Sequence, residues 1–424
     1  MVVKLFFSFQ FSNYAQMFPI VYIFYQLDWA DEIMQIADVL IVGGAAVGSS
    51  AAFFLAAQPD FKGKVLVLEQ DFSYEKCATA LSAASIRHQF STPENIRLSQ
   101  FGSHFLKNIA DYLTVDGEVP EVGFHERGYL FLATPAGRDI LQSNHRIQKA
   151  ENVDVDLLSP AQLKARYDWM HVDDLASGSL GNTGEGWLDA YGLMQGLRRK
   201  AIALGVEYRQ AKVLKLNREG HKIVSATLSD GSTVACSTVI NTAGTGATAL
   251  AQTAGIVLPV EARKRSIFYF TSSAKVPGCP MVIDPSGAYF RPEGEGYICG
   301  VSPSPEDDPE CYDFDVQHQL FDDVLWPTLA ARVPGFEALR VQRSWAGHYD
   351  MNTLDHNVIL GAHPEVENLL FANGFSGHGM QQSPAVGRAL SELVTFGGFR
   401  TLDLKAFGWD RVLKNEPLFE INIV

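Results

Sequence analysis

Ala37-Asp38-Val39-Leu40-Ile41-Val42-Gly43-Gly44-Ala45-Ala46-Val47-Gly48-Ser49-Ser50, with Glu69 further on, is the stretch from which the fold is read. An apolar run of strand length ends at a glycine turn, and small residues then open a helix. A second run, Lys64-Val65-Leu66-Val67-Leu68, ends at Glu69, 21 positions after Gly48. This layout predicts a dinucleotide-binding βαβ unit. The helix N-terminus offers unpaired N–H groups and a positive dipole to a pyrophosphate, while the acid accepts from a ribose hydroxyl. Gly43, Gly44, Ala45, Ala46, Val47, Gly48, Glu69 and the adjoining Gln70 are the candidate cradle. One position is off pattern. Ala45 stands where a second glycine lets the backbone approach phosphate closely. The motif alone does not choose between FAD and NAD.

A chain of 424 residues exceeds one typical core, so two intimate domains are expected. With 47% hydrophobic and 19% charged residues, general disorder is excluded. A net charge of -14 argues against nucleic acid or an anionic membrane surface as the main partner. The five cysteines, Cys77, Cys236, Cys279, Cys299 and Cys311, are odd in number and form no Cys-x-x-Cys pair. Reduced thiols in a cytosolic-type compartment fit that pattern better than a disulfide framework. No His or Cys spacing suggests a metal site. Residues 1–36 stand apart as an extension to the core. They are rich in Phe, Tyr, Val and Ile, but Gln10, Ser12, Asn13, Gln16 and Pro19 interrupt them. No run approaches the roughly 18 apolar residues that span a bilayer. An upstream-extended start before Met34 is one explanation and a peripheral membrane-touching segment is the other. The expected setting is cytoplasmic, with contact at the periphery of the inner membrane as the alternative.

Taken in order, residues 49–57 read as a helix ended by Pro59 and Gly63. The small-residue stretch 80–90 carries the basic pair Arg87-His88, and its Ser82, Ala83 and Ala84 would let backbone lie against a flat ligand. Thr92 and Pro93 read as the cap and first turn of a helix reaching about residue 112. From residue 122 the texture changes to a strand at 128–133, an amphipathic helix at 135–150 and a helix capped by Ser159. A helix over 190–204 and strands through 206–236 return to the first texture, and a buried strand at 237–246 ends in glycines. Residues 261–300 are again strand-rich, and a helix is expected over 316–333. Ser383-Pro384 looks like the start of the last helix. The expectation is an FAD-type domain built from 37–110, 180–258 and 345–410. A second domain built from 111–179 and 259–344 is interleaved with it, and 411–424 forms a tail.

Four stretches coincide in order: 42–50 with Glu69, 239–246, Ala288-Tyr289-Phe290-Arg291-Pro292-Glu293, and 373–379. Together they resemble the FAD-dependent D-amino-acid oxidase and sarcosine oxidase superfamily, from Ala37 to about Trp409. Residues 82–95 and 345–352 look closest to one branch. It includes amino-acid dehydrogenase-like proteins and a mitochondrial FAD oxidoreductase linked to respiratory complex I assembly. The fold implied is α/β, a glutathione-reductase-like Rossmann FAD domain interleaved with an antiparallel-sheet (α+β) substrate domain.

The resemblance implies that Gly43, Ala45, Gly48 and Glu69 hold the ADP half of FAD and that Val213 contacts the adenine side. It implies that Ala243 and Gly244 line the cofactor cleft, and that Gly374, Gly377, His378, Gly379 and Met380 pass the flavin's pyrimidine edge. A helix N-terminus there stabilises the negative charge of reduced flavin. Arg87 matches the family's substrate-carboxylate arginine, and Arg291 is a second candidate, since guanidinium forms two parallel charge-assisted bonds to a carboxylate. A structural salt bridge is the alternative for either, with the substrate role favoured for Arg87 and evenly balanced for Arg291. His88, His348, Tyr349 and His378 are candidates to orient substrate or assist amine deprotonation. His348 stands where sarcosine oxidases carry a flavin-linking cysteine, so noncovalent FAD is expected. Gln381 replaces a carboxylate-binding lysine, and Ile298 falls where an oxygen-activating lysine would sit. The function expected is C–N oxidation of an amino acid or N-methylated amino acid by a dehydrogenase. Its electrons would go to a quinone, another flavoprotein or a similar acceptor, with oxygen as the less favoured one. A noncatalytic FAD-binding assembly factor is the alternative.

Overall fold

A computed structural model describes residues 35–421 of the chain. The expectations for residues 1–36 therefore lie outside the described residues, except that Gln35 and Ile36 open the first strand.

Gln35–Val42 forms that strand, pairing in parallel with Val65–Glu69 on one side and Thr233–Asn241 on the other. Its Val39, Leu40 and Ile41 are almost fully buried, as a parallel strand covered on both faces requires. Outward from it the sheet continues through Glu207–Gln210 at one side and Val366–Asn373 with Ile359–His363 at the other. The antiparallel hairpin Val213–Glu219 and Lys222–Leu228 hangs from Thr233–Asn241. The helix Ala46–Ala57 is buried nearly all round, packed between the sheet and the helix Gly379–Phe396. Small residues permit that contact, because a Cβ on Gly387 would sit 2.2 Å from Ser50 Oγ.

A second eight-stranded sheet runs in the order Arg340–Asn352, Val260–Thr271, Gly296–Gly300, Tyr289–Glu293, Met281–Ile283, Tyr129–Ala133, Ser177–Gly181, Val155–Leu158. It is antiparallel except where Met281–Ile283 meets Tyr129–Ala133. Phe268, Phe270, Phe290 and Phe336 centre its core. The fold is thus the expected mixed α/β architecture, with chain segments alternating between the two sheets.

Several local expectations are corrected. Residues 345–352, expected in the FAD-type portion, lie in the edge strand Arg340–Asn352 of the second sheet, paired along their length with Val260–Thr271. The last long helix starts at Gly379, and Pro384 lies inside it. The Met380 carbonyl that Pro384 cannot reach accepts instead from the Ser383 hydroxyl at 2.9 Å, so no buried acceptor is orphaned. Thr92 does precede its helix, Pro93–Lys107, but its hydroxyl donates to Glu420 rather than capping. The helix expected over 316–333 is broken into His318–Leu320, a π turn Phe321–Leu325 and Trp326–Arg332. Pro327 has no N–H for the Asp323 carbonyl, which accounts for the interruption. Residues 411–421 are no loose tail. Arg411 is buried against Asp355 at 2.6 Å, and Glu420 accepts from Ser91, Thr92 and Asn95. No helix among the described residues is long and apolar enough to cross a membrane.

Candidate active site

The parallel strands end on one side of their sheet, and their carboxyl ends converge on a cleft of about 800 Å³. That is where open α/β sheets bind ligands. Gly43, Ala45, Ala46 and Val47 line it from the first strand–helix turn, and Glu69 and Gln70 from the second strand. Val213, Ala243 and Gly244 line it from the middle of the chain. His348, Tyr349, Gly377, Gly379 and Met380 come from its last quarter, and Ser82 from the small-residue stretch.

The cradle fits a dinucleotide. Gly43 has φ +98°, and a Cβ there would lie 2.4 Å from the Thr242 carbonyl oxygen. A Cβ on Gly48 would lie 1.8 Å from the Gly43 carbonyl oxygen. Side chains at either position would push the helix off the turn. Ala45 is the N-cap and has no side-chain capping bond, so the first N–H groups of Ala46–Ala57 are left for a ligand. Its φ of -70° needs no glycine, and it packs against the small cluster of Ala46, Tyr74 and Met194. Glu69 accepts from the Gly44 and Asp71 N–H groups at 2.7 and 3.0 Å, which fixes its carboxylate beside the turn.

The helix Gly379–Phe396 also begins at the cleft, with His378 as N-cap and no side-chain capping bond. Gly374, at φ +79°, donates its N–H to Asp350 at 2.8 Å. Asp350 lines the cleft, and burial pushes its carboxyl up to about 6 against the pull of the Gly374 and Phe375 N–H groups. Gly377 has φ +97°, and a Cβ there would meet the Tyr349 ring at 2.7 Å. The bare glycine is what lets Tyr349 lie over the loop.

Ala83, Ala84, Arg87, His88, Arg291 and His378 stand behind the lining. Arg87 is 2% exposed, and its guanidinium lies 3.9 Å from the Phe90 ring centroid. It donates to the Gln89 carbonyl and, at 3.1 Å, to His378 Nε2. Arginine only donates, so Nε2 accepts and His378 carries its proton on Nδ1. Burial, reinforced by Arg87, holds His378 far below the usual histidine range. His88 bonds Ser103 Oγ at 2.8 Å, and burial pushes it down to about 4. Arg291 donates to the Ala83 carbonyl at 3.1 and 2.8 Å, to Pro292 and to Glu293. Its fork is occupied by the protein, and it pins Ala83 beside Ala84, which is at φ +55°. His348 packs edge-on against Phe314, its Nε2 has no partner among the described residues, and burial lowers its pKa.

Sequence reasoning missed Tyr74, Cys77, Thr79, Tyr312, Phe314 and Asp350, all of which line the cleft. Asp350 was legible in part, since it falls within the stretch 345–352 that carries the resemblance. Tyr74, Tyr312 and Phe314 sit in turns and loops, and Cys77 and Thr79 open the one-turn helix Ala78–Leu81, all too short for a periodicity to point inward. Among the described residues no cluster of His, Cys, Asp or Glu is placed to hold a metal.

A family model described as FAD dependent oxidoreductase matches residues 38–393. The FAD-dependent oxidoreductase domain-containing protein 1 of Xenopus laevis is 43% identical, covering 92% of this chain and 85% of its own. The mitochondrial sarcosine dehydrogenase of Mus musculus is 25% identical over 85% of this chain and 40% of its own. L-proline dehydrogenase from P. horikoshii superposes with a TM-score of 0.80 at 24% identity, over 91% of this chain and all of that one. The glycine cradle, the acid at the second strand and the helix N-terminus at the far end of the cleft match what such a cofactor needs. This chain belongs to the FAD dependent oxidoreductase (DAO) family, and its cofactor is FAD.

Proposed function

We propose that this oxidoreductase oxidises the C–N bond of an amino acid or N-methylated amino acid, working as a dehydrogenase. The observation that carries the reading is the wall where the two sheets meet. Tyr349 lines the cleft, and Arg87 is buried behind the lining with its guanidinium 6.0 Å from the Tyr129 ring centroid. A guanidinium so enclosed binds a carboxylate more strongly than an exposed one, because water competes less. Phe90 sets the plane of the Arg87 fork, while His378 and the Gln89 carbonyl hold its edge. The proposal gives Arg87 the substrate carboxylate and makes His378, His88 and Arg291 positioning residues.

FAD, held noncovalently, supplies the two-electron acceptor for the substrate's hydride. Around it the chain's own groups orient and stabilise. The N-terminus of Gly379–Phe396 directs its positive end at the cleft, which favours negative charge on the pyrimidine edge. Burial holds the Tyr349 phenol protonated, so it orients by donating a hydrogen bond and does not act as base. Ile298, 2% exposed within Gly296–Gly300, is an apolar residue at the position where the resemblance would put an oxidase's oxygen-activating lysine. The likeness to sarcosine dehydrogenase supports the same assignment.

The test is anaerobic mixing of holoenzyme with D- and L-amino acids, sarcosine, dimethylglycine and cyclic imino acids. One class should bleach the flavin absorbance, and a quinone or flavoprotein acceptor should restore it faster than oxygen. Bleaching by none of them would leave the noncatalytic reading standing. Rapid reoxidation by oxygen would make the enzyme an oxidase.

A further inference from the structure

Arg87 is held at both ends by one helical turn. Its backbone N–H donates to Gln381 Oε1 at 2.9 Å, and its guanidinium donates to His378 Nε2 at 3.1 Å. His378 is the N-cap of Gly379–Phe396, and Gln381 lies in the first turn of the same helix. The two partners stand 294 and 291 positions away in sequence, so only the fold brings them to the arginine. Between them in the chain, Gly379 and Met380 line the cofactor cleft. The turn that lines the cleft therefore also grips Arg87.

Gln381 is itself tightly placed. It is buried, and its oxygen also accepts from the Ser99 hydroxyl at 3.3 Å. The helix Pro93–Lys107 passes so close that a Cβ on Gly102 would lie 2.4 Å from the Gln381 carbonyl oxygen. A backbone N–H only donates, so the side-chain atom facing Arg87 is the amide oxygen and not the nitrogen. The residues after Arg87 are fixed from other elements. The His88 N–H donates to Glu185 at 2.8 Å, and the Gln89 amide donates to the Tyr129 carbonyl at 2.8 Å. Arginine has many rotamers, and ordering them on binding weakens a contact. Anchoring both the backbone and the fork completes that ordering before a substrate arrives.

We infer that Gln381 is a positioning residue for substrate binding: through the Arg87 N–H it sets the register between the arginine and the turn that lines the cofactor cleft. It acts through Arg87 and not on the substrate. The inference rests on the reading of Arg87 as the carboxylate clamp.

Gln381→Met keeps the side-chain length and the helix propensity and removes the acceptor. With the substrate that bleaches the flavin in the anaerobic panel, it should raise KM about tenfold, the worth of one hydrogen bond at about 1.4 kcal/mol per decade. FAD should stay bound, and kcat should hold within about threefold, since the lost contact serves binding. When Arg87 is already alanine, the same substitution should change kcat/KM by less than about twofold, because residues that act through one another are not additive. A KM that Gln381→Met leaves unchanged overturns the inference. So does an equal loss in the two backgrounds, which a merely structural glutamine would give. Should Gln381→Met retain no FAD, Gln381→Asn takes its place with the same expectations, since it stays polar and withdraws the oxygen by one methylene. If no panel member bleaches the flavin, or Arg87→Ala leaves KM unchanged, it is the reading of Arg87 that fails, and this inference falls with it.

Discussion

Glu185 offers the sharpest quantitative test. It is fully buried beside the Arg87 segment, accepting from the His88 N–H at 2.8 Å and from Gln89 Nε2 at 2.9 Å. Burial pushes its carboxyl up from 4.5 to about 7, against the opposing pull of Gln89, the His88 N–H and Arg87. The folded state therefore holds this proton more tightly than the unfolded chain. Its contribution to stability is complete below 4.5, declines as pH rises, and is gone above about 7. At about 1.4 kcal/mol per tenfold change in proton affinity, the swing is about 3 kcal/mol. That is a large share of the roughly 5–15 kcal/mol typical of a folded domain. Asp350, raised to about 6, slopes the same way, so the Glu185 contribution must be isolated by subtraction. Glu185→Gln has nearly the same volume and no titration. Urea unfolding of both proteins at intervals from pH 4.5 to 8 gives the stability difference. It should shift by about 3 kcal/mol in favour of the glutamine form as pH rises. A difference constant within about 0.5 kcal/mol would refute the reasoning, since it would mean the carboxylate stays ionised in the fold.

Two further substitutions bear on the site and its support. Arg87→Ala should raise KM for the bleaching substrate by about 100- to 1000-fold while the flavin spectrum persists, the worth of a bidentate charged contact. Arg87→Lys, which keeps charge but not the fork, should lose less, and unchanged kinetics in both would remove Arg87 from substrate binding. Glu420→Ala removes the acceptor for the Ser91 and Thr92 N–H groups and for the Asn95 amide. It should cost about 2–3 kcal/mol in denaturant unfolding, and an unchanged midpoint would show that water replaces the carboxylate fully.

How much could be read in advance varied with the kind of signal. The run from Ala37 to Ser50 and the acid at Glu69 carried the parallel sheet and the cofactor cleft, because apolar strands and positive-φ glycines are local requirements. Ser159, read as a cap from the sequence, does cap its helix, in a capping box completed by Gln162. Helix ends depending on distant partners were not legible. Thr92 gives its hydroxyl to Glu420, 328 positions away in sequence, and Gly379 starts a helix that Ser383 and Pro384 only interrupt in appearance.

The same division separates candidate residues that share a residue type. Arg87 and Arg291 look equivalent in a string of letters. The fold surrounds one with Phe90, Tyr129 and His378 at the junction of the sheets, and it occupies the other with Ala83 and Glu293. Sequence by itself determined the glycine cradle, the acid at the second strand and the family of folds, since each rests on backbone conformation encoded by adjacent residues. Tertiary structure alone decided what surrounds each arginine behind the cleft and which histidines are held neutral. Those properties come from burial and from partners brought together over hundreds of residues, and no local pattern encodes either.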